Sequence, residues 1–507
     1  MAQELKSINL VAPAFKGINT EDSPLAQDPS FAEIADNAVI DKRGRIAARK
    51  GYEAITETKT ELGDNYIRGI KEFRDSNANT KIFSVGNNKI LSGTTTLVDE
   101  TPASYSITTD NWKMVVFNEN IYFFQRSYEP LVYNNSLGAV TKMSSVPGAS
   151  GVSGSIYGNE VLAAYGRLWT ADFGADKSTI YWSDLLIGHA WSGGTSGSID
   201  ISKVWPDGYD EIVALAAHNS LLIIFGKHSI VVYQGAEDPS TMQLSDTISG
   251  VGCVNRDTIQ YTGTDVLFLS QTGLRSFARV VQEKSMPITS LSKTITKDII
   301  SLLRNETGFF RTVYSPEESF YLLTFANQKT TYCFDVRGTL EDGSYRVTRW
   351  PSSQFSAYER KADGTLLVGT KDGICTYGGY SDNGTSYRFK YYSPSLTFGD
   401  SSRVKILKKL KPTLVGANSA TVFLKWAYNF DTSYKTQEFT VGNQNPAYFG
   451  EGEFNIGEFT GGQLTNQRSI NTTGYGTSVV VGLESDINAF PLSLQEINVM
   501  ALMGKLL

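Results

Sequence analysis

The apolar positions of this chain fall in short, dense runs separated by turn residues, most clearly in EIVALAAHNSLLIIFGKHSIVVYQGA, Glu211 to Ala236. Runs of strand length broken by His, Asn, Ser, Gly and Lys predict three antiparallel strands, Ile212 to Ala217, Leu221 to Phe225 and Ile230 to Gln234. The form of apolar strand, tight turn and second strand returns at NIYFFQRSYEPLVY, DVLFLSQTGLRSF, SFYLLTFANQKTTYCF and GTLLVGTKDGICTY. KIFSVGNNKILSG and EVLAAYGRLWTAD keep one clear hairpin each. With Ile82, Val115, Val161, Ile212, Ile259, Val313 and Leu366 as equivalent marks, the repeat is about 33 to 55 residues, the length of one four-stranded propeller blade. The predicted fold is all-β, with a β-propeller of six or seven blades over residues 56–384.

After the Ser381-Asp382-Asn383-Gly384 turn the period breaks and the strands lengthen. SSRVKILKKLKPTLVG, ATVFLKWAYNFDTSYKTQEFTV and two closing strands around TSVVVGLES and SLQEINVMAL predict a β-sandwich-like platform over residues 385–507. Residues 1–55 form a third segment: an entry loop, a short helical turn around Phe31 to Ala35, and a hairpin from Val39 to Arg49 with Gly44 at its turn. An open radial array leaves unpaired strand edges, so this segment is expected to complete a blade or domain formed late in the chain, with the hairpin as the candidate. The best helical signal is Thr294 to Arg304.

Composition agrees with many strands and turns: 46 Gly in 507 residues, and 12% aromatic. The net charge of −6 argues against a protein whose main work is gripping phosphates, while leaving room for a surface past which DNA slides. Cys253, Cys333 and Cys375 are too far apart for a C-x-x-C site and read as buried free thiols. No apolar run approaches the ~18 residues of a membrane span, and nothing at the N-terminus reads as a signal segment.

Catalytic patterns are scarce. His189, His218 and His228 stand in no zinc motif, and neither a Walker loop nor a G-x-S-x-G elbow occurs, so no catalytic, metal or cofactor residue is assigned. Glu317 and Glu318 are adjacent and point to opposite faces if on a strand, which suits a solvated turn better than a glycosidase pair.

The opening residues carry a resemblance. Gly17-Ile18-Asn19-Thr20, Ser23-Pro24, Ala35-Asp36-Asn37-Ala38-Val39, Gly44-Arg45-Ile46 and Arg49-Lys50-Gly51-Tyr52 resemble the start of the tail nozzle proteins of short-tailed bacteriophages, the tail tubular protein B-like and packaged-DNA stabilisation proteins. Tyr165-Gly166-Arg167-Leu168-Trp169, Ile180-Tyr181-Trp182-Ser183 and the ending PLSLQEINVMALMGKLL are similar to later parts of that family. The resemblance implies a non-enzymatic virion protein made in the host cytoplasm. It implies a ring of six copies docked on the tail adaptor ring, with fibre or spike neighbours, bordering and closing the channel through which DNA leaves. It marks Gly17, Asn19, Thr20, Pro24, Asp36, Asn37, Gly44, Arg49 and Gly51 as assembly or family positions. Ser381 to Thr385 is also similar to the Asp-box turn of sialidase propellers, with different spacing. The alternative function is a virion propeller that binds or cleaves host surface carbohydrate; a cellular interaction scaffold comes third.

Two groups are candidates for channel or partner contacts. Arg403, Lys405, Lys408, Lys409 and Lys411 read either as the outer face of a strand or as a contact to an acidic neighbour or DNA, with Arg43, Arg45, Arg49 and Lys50 a second such cluster. Tyr448, Phe449, Phe454 and Phe459 lie in a Gly-rich loop, Gly442 to Gly462, suited to a partner contact or a constriction. Tyr391, Tyr392, Phe423, Trp426, Tyr428, Phe430 and Phe439 are expected in the platform core. The isolated chain is expected to be largely monomeric, with the ring templated by the adaptor.

Overall fold

A computed structural model describes residues 5–283, 290–306, 309–416, 420–441 and 465–506. The aromatic loop at Tyr448, Phe449, Phe454 and Phe459 lies outside them. No helix among the described residues is long and apolar enough to cross a membrane.

Between residues 69 and 377 the strands form a propeller. Five of its blades are consecutive four-stranded meanders, opening with the inner strands Gly69–Arg74, Lys113–Phe117, Glu160–Ala164, Ile212–His218 and Phe310–Ser315. A three-stranded sheet, Gln260–Tyr261, Val266–Ser270 and Gly273–Ser276, sits between the fourth and fifth blades. The sixth blade, Ala357–Arg360, Leu366–Thr370 and Gly373–Tyr377, takes its fourth strand, Tyr52–Ala54, from the other end of the chain. The reading of six or seven blades thus resolves into six four-stranded blades and one smaller sheet.

Glu211 to Ala236 forms the three expected strands, and Gln243–Ile248 adds a fourth. Two segments that read as weak hairpins are also full blades. Their turns, Asn87-Asn88 (φ 55° and 57°) and Tyr165-Gly166 (φ 54° and 69°), place both central residues in the left-handed region, the geometry of a two-residue hairpin. Because successive side chains alternate in direction, each blade feeds two cores. In the first blade Phe83 and Val85 pack toward Phe123 of the second, while Ile82 and Leu91 pack toward Leu367 and Ile374 of the sixth, closing the ring.

The platform has two layers. One centres on the antiparallel pair Arg403–Gly416 and Leu492–Leu506, and the other contains Tyr387–Tyr392, Val479–Ile487, Thr421–Tyr428 and Lys435–Thr440. Leu407, Leu410, Leu494 and Val499 from the first share one core with Val422, Leu424, Val481 and Leu483 from the second, so the β-sandwich-like reading holds.

The N-terminal segment runs through all of this. Leu5–Leu10 pairs with Leu492–Leu506, and the hairpin Ala38–Ile40/Ile46–Ala48 joins the same strand through Ile46 and Ala47. Ile34–Asp36 lies between Tyr345–Pro351 of the fifth blade and Tyr387–Tyr392 of the platform, making one nine-stranded sheet across both parts. One expectation changes here. The helical turn around Phe31 to Ala35 is extended, because the gap between those two sheet edges demands backbone pairing that a helix cannot supply. As expected, the hairpin completes a domain formed late in the chain, the platform, and the strand after it, Tyr52–Ala54, closes the ring. The predicted helix over Thr294 to Arg304 is found at Thr296–Asn305.

Candidate functional site

The nine positions marked by the resemblance all contribute to the N-terminal segment's turns and contacts where propeller meets platform. Gly17 (φ +95°) lies against the fifth blade, where a Cβ would stand 2.6 Å from the Val347 nitrogen, and the next amide, Ile18, donates to Val347 O at 2.8 Å. Asn19 turns the chain by accepting from the Glu21 and Asp22 amides at 3.0 and 3.2 Å. Thr20 donates its amide to Thr294 O and its hydroxyl to Asp298 at 3.1 Å. Pro24 O accepts from Ser395 N at 3.0 Å, and Asp36 pairs with Arg349 at 2.9 Å. Gly44 (φ +78°) makes the hairpin turn and accepts from the Phe15 amide.

Arg49 is the centre of this junction. It is 5% exposed, with Nη1 and Nη2 donating to the two carboxylate oxygens of Asp382 at 2.8 and 2.6 Å and Nε donating to Asn37 Oδ1 at 3.1 Å. Asn37 (φ +52°) in turn donates to Arg388 O in the platform. The guanidinium lies 4.1 Å from the Tyr387 ring centroid. Burial works against its charge, but the hydrogen bond and charge of Asp382, with Tyr387 and Tyr377, together outweigh it and hold the pKa above the ordinary arginine value. Gly51 fits where a Cβ would come within 1.9 Å of Ser381 O, so the strand crossing there needs glycine. The turn similar to an Asp-box is therefore an anchor for Arg49 and Tyr52.

The basic clusters divide. Lys405 is fully buried, its Nζ donating to the Asp400 and Arg403 carbonyls, and burial draws its pKa below the usual lysine value. It cannot meet a partner. Lys408 and Lys409 are both exposed because the ladder slips by one residue between Leu407 and Lys409, breaking the expected alternation. Arg403 and Lys411 are half-buried. In the N-terminal cluster, Arg45 pairs with Asp41, Arg49 with Asp382 and Lys50 with Glu318, so three of its four cations serve the fold. Glu317 and Glu318 separate as expected, to Arg360 and Lys50. Among the expected platform aromatics, Tyr391, Tyr392 and Trp426 are buried and Phe423 lies under Arg388 at 4.5 Å. Phe430 is 59% exposed at a hairpin turn (φ +62°), which corrects its assignment to the core.

All three cysteines are buried free thiols, and burial pushes Cys253 up to about 12 and Cys375 to about 11. No cluster of three or more His, Cys, Asp or Glu that could hold a metal occurs among the described residues.

The propeller axis holds a feature that the sequence did not reveal: a cavity of about 560 Å³ lined by the inner strands, with Arg68, Lys71, Lys113, Arg256 and Arg311 as its cations. Lys71 pairs with Glu359 at 2.9 Å, and Lys113 reaches both oxygens of the fully buried Glu160 at 2.7 Å. Arg311 donates to Asp257 at 3.0 Å and to Arg68 O at 2.8 Å. Arg256, 3% exposed, reaches from the turn Arg256–Thr258 to Asn111 O at 2.7 Å. These residues come from different repeats, and each is unremarked alone. Lys71, Lys113 and Arg311 lie on inner strands, but Arg68 precedes its strand and Arg256 stands in a turn, so no recurring inner-strand charge marks the set.

No protein-family model and no curated protein matches the sequence. Solved structures with which it shares a fold-level likeness include the computationally designed Ika8 protein (13% identity, 64% of this chain and 99% of that one, TM-score 0.37). Others are the WD40 β-propeller domain of Doa1 (13%, 64% and 96%, 0.37) and the WD40 domain of Neurospora crassa Pan2 (10%, 66% and 95%, 0.35). These scores add nothing to the propeller read from strand order. The chain is an all-β protein in which a propeller and a second sheet domain are joined through the N-terminal segment.

Proposed function

We propose that this chain is a structural virion protein, the distal nozzle of a short phage tail, whose copies form a ring bordering the DNA exit. The observation that carries the reading is that the run resembling the nozzle family, Gly17 to Gly51, fastens propeller to platform through Asp36, Asn37 and Arg49. Such a joint suits a part that must keep its shape in a ring. The axial cavity of a single propeller, with the buried Arg256 in its lining, offers about 560 Å³, the volume of a small-ligand site. In this reading the passage therefore lies between copies, and six chains on an adaptor ring would enclose it. Particles lacking the chain are expected to package DNA and then fail to retain or deliver it. Normal retention and delivery without it would overturn the proposal.

The second reading, a virion propeller acting on host carbohydrate, draws on the size of the axial cavity, which falls in the range of small-ligand sites. Turnover of host surface polysaccharide by the purified chain would favour it over the nozzle.

A further inference from the structure

Neither a nozzle nor a platform joint explains why so much positive charge faces the propeller axis. Lys71 and Lys113 are each matched by a carboxylate on a neighbouring blade, Glu359 and Glu160, and Asp257 serves Arg311. Arg256 shares Asp257 as an ion-pair partner but is less completely served. Its Nη2 donates to Asn111 O, but Nε and Nη1 have no hydrogen-bond partner among the described residues, and Nε is 3.7 Å from Asp257, too far for a hydrogen bond. A guanidinium buried with two nitrogens unserved carries a desolvation penalty that an acceptor would remove. Arg68 has no carboxylate within ion-pair distance among the described residues, and its guanidinium rests on the Phe309 and Tyr66 rings at 4.6 and 5.3 Å.

We propose that the axial cavity is an oxyanion site, in which Arg256, with Arg68 and Arg311, receives the phosphate or carboxylate group of a small ligand. Guanidinium groups present paired donors that match both oxyanions, and several such groups around one cavity favour a ligand carrying charge. Burial draws the pKa of Arg68 and Arg311 below the ordinary value, and for Arg311 the neighbouring Arg256 and Arg68 charges act the same way, a repulsion that an anion between them would relieve. Asp257 also faces the cavity. Its carboxylate is held ionised, against burial, by Arg256, Arg311 and Lys113, so it orients the cations and sets a limit on how close the ligand approaches. The cavity volume of about 560 Å³ is in the range of small-ligand sites.

The test is titration of the intact chain with inorganic phosphate and, separately, with acetate, against chloride at equal ionic strength, read by calorimetry and by the melting transition. One of the two oxyanions is expected to bind saturably with one site per chain and raise the transition, and the stronger arm identifies the ligand's head group. Arg256→Gln is expected to abolish binding. Arg68→Gln, which removes no hydrogen bond between described residues, is expected to fold and to weaken binding about tenfold, the loss of one charge-assisted contact. If Arg256→Gln does not fold, Arg68→Gln decides alone. Absence of saturable binding at millimolar concentrations of either anion would overturn the proposal, as would binding that Arg68→Gln leaves unchanged.

Discussion

The first four blades and the platform are both antiparallel β-structure, yet they are specified in opposite ways. Each of those blades is a meander of strands that follow one another in sequence, with its apolar faces filling clefts toward the neighbouring blades, as Ile224 and Val231 do toward Trp169 of the blade before. In the platform, Leu492–Leu506 is flanked by Leu5–Leu10, by the hairpin at Ala38–Ile40 and Ile46–Ala48, and by Arg403–Gly416. The propeller is thus built locally and fastened remotely. One N-terminal stretch closes the ring at Tyr52–Ala54 and stitches the ring to the platform at Ile34–Asp36.

The largest loss is expected from a chain beginning at residue 57. It loses the outer strand of the sixth blade and the strand between the two sheets, leaving long unpaired edges. It is expected to be insoluble or to lack a cooperative melt, and an unchanged melt would show that the segment is dispensable. Arg49→Met strikes the same joint at one point. It strands Asp382 and Asn37, and denaturant unfolding is expected to show a loss of about 3 kcal/mol, the range for breaking one side of a buried ion pair. Gly51→Ala should cost about 1–3 kcal/mol through overlap with Ser381 O, whereas Gly154→Ala, with nothing within 4 Å of its added carbon, should stay within about 0.5 kcal/mol.

The smallest effect separates the two regions by pH. Burial opposes ionisation of Glu484 in the platform, but hydrogen bonds from Tyr392, Arg388 and Lys425 prevail and hold its pKa at about 2. A depressed carboxylate contributes stability that is complete above its unfolded value of about 4.3 and is lost as pH falls toward the folded value. Glu160 in the third blade has the opposite sign: burial raises it despite Lys113, so its contribution is present in acid and lost as pH rises through its folded value. Stability measured from about pH 5 down to 2 should therefore fall less steeply in Glu484→Gln than in the native chain. Equal slopes would remove Glu484 from the account.

The blades were legible because dense apolar runs and turn residues are local signals. The sixth blade's outer strand was not, since Tyr52-Glu53-Ala54 carries no pattern of its own and is a strand only because Gly373–Tyr377 offers an edge. Phe31 to Ala35 read as a short helical turn, and sheet pairing overrode it. The cationic run at Arg403 to Lys411 was misread at Lys405 because strict alternation takes no account of a slipped register. The axial arginines were invisible for a different reason: Arg68, Arg256 and Arg311 meet only through ring closure.

The continuity of the sheet across the joint is tested most directly by amide hydrogen exchange in the intact chain. If Ile34–Asp36 truly lies between the fifth blade and the platform, its amides should exchange as slowly as those of Leu221–Gly226 deep in the fourth blade. Exchange as fast as in the exposed edge strand Lys435–Thr440 would show that propeller and platform are not joined there, and would contradict the account.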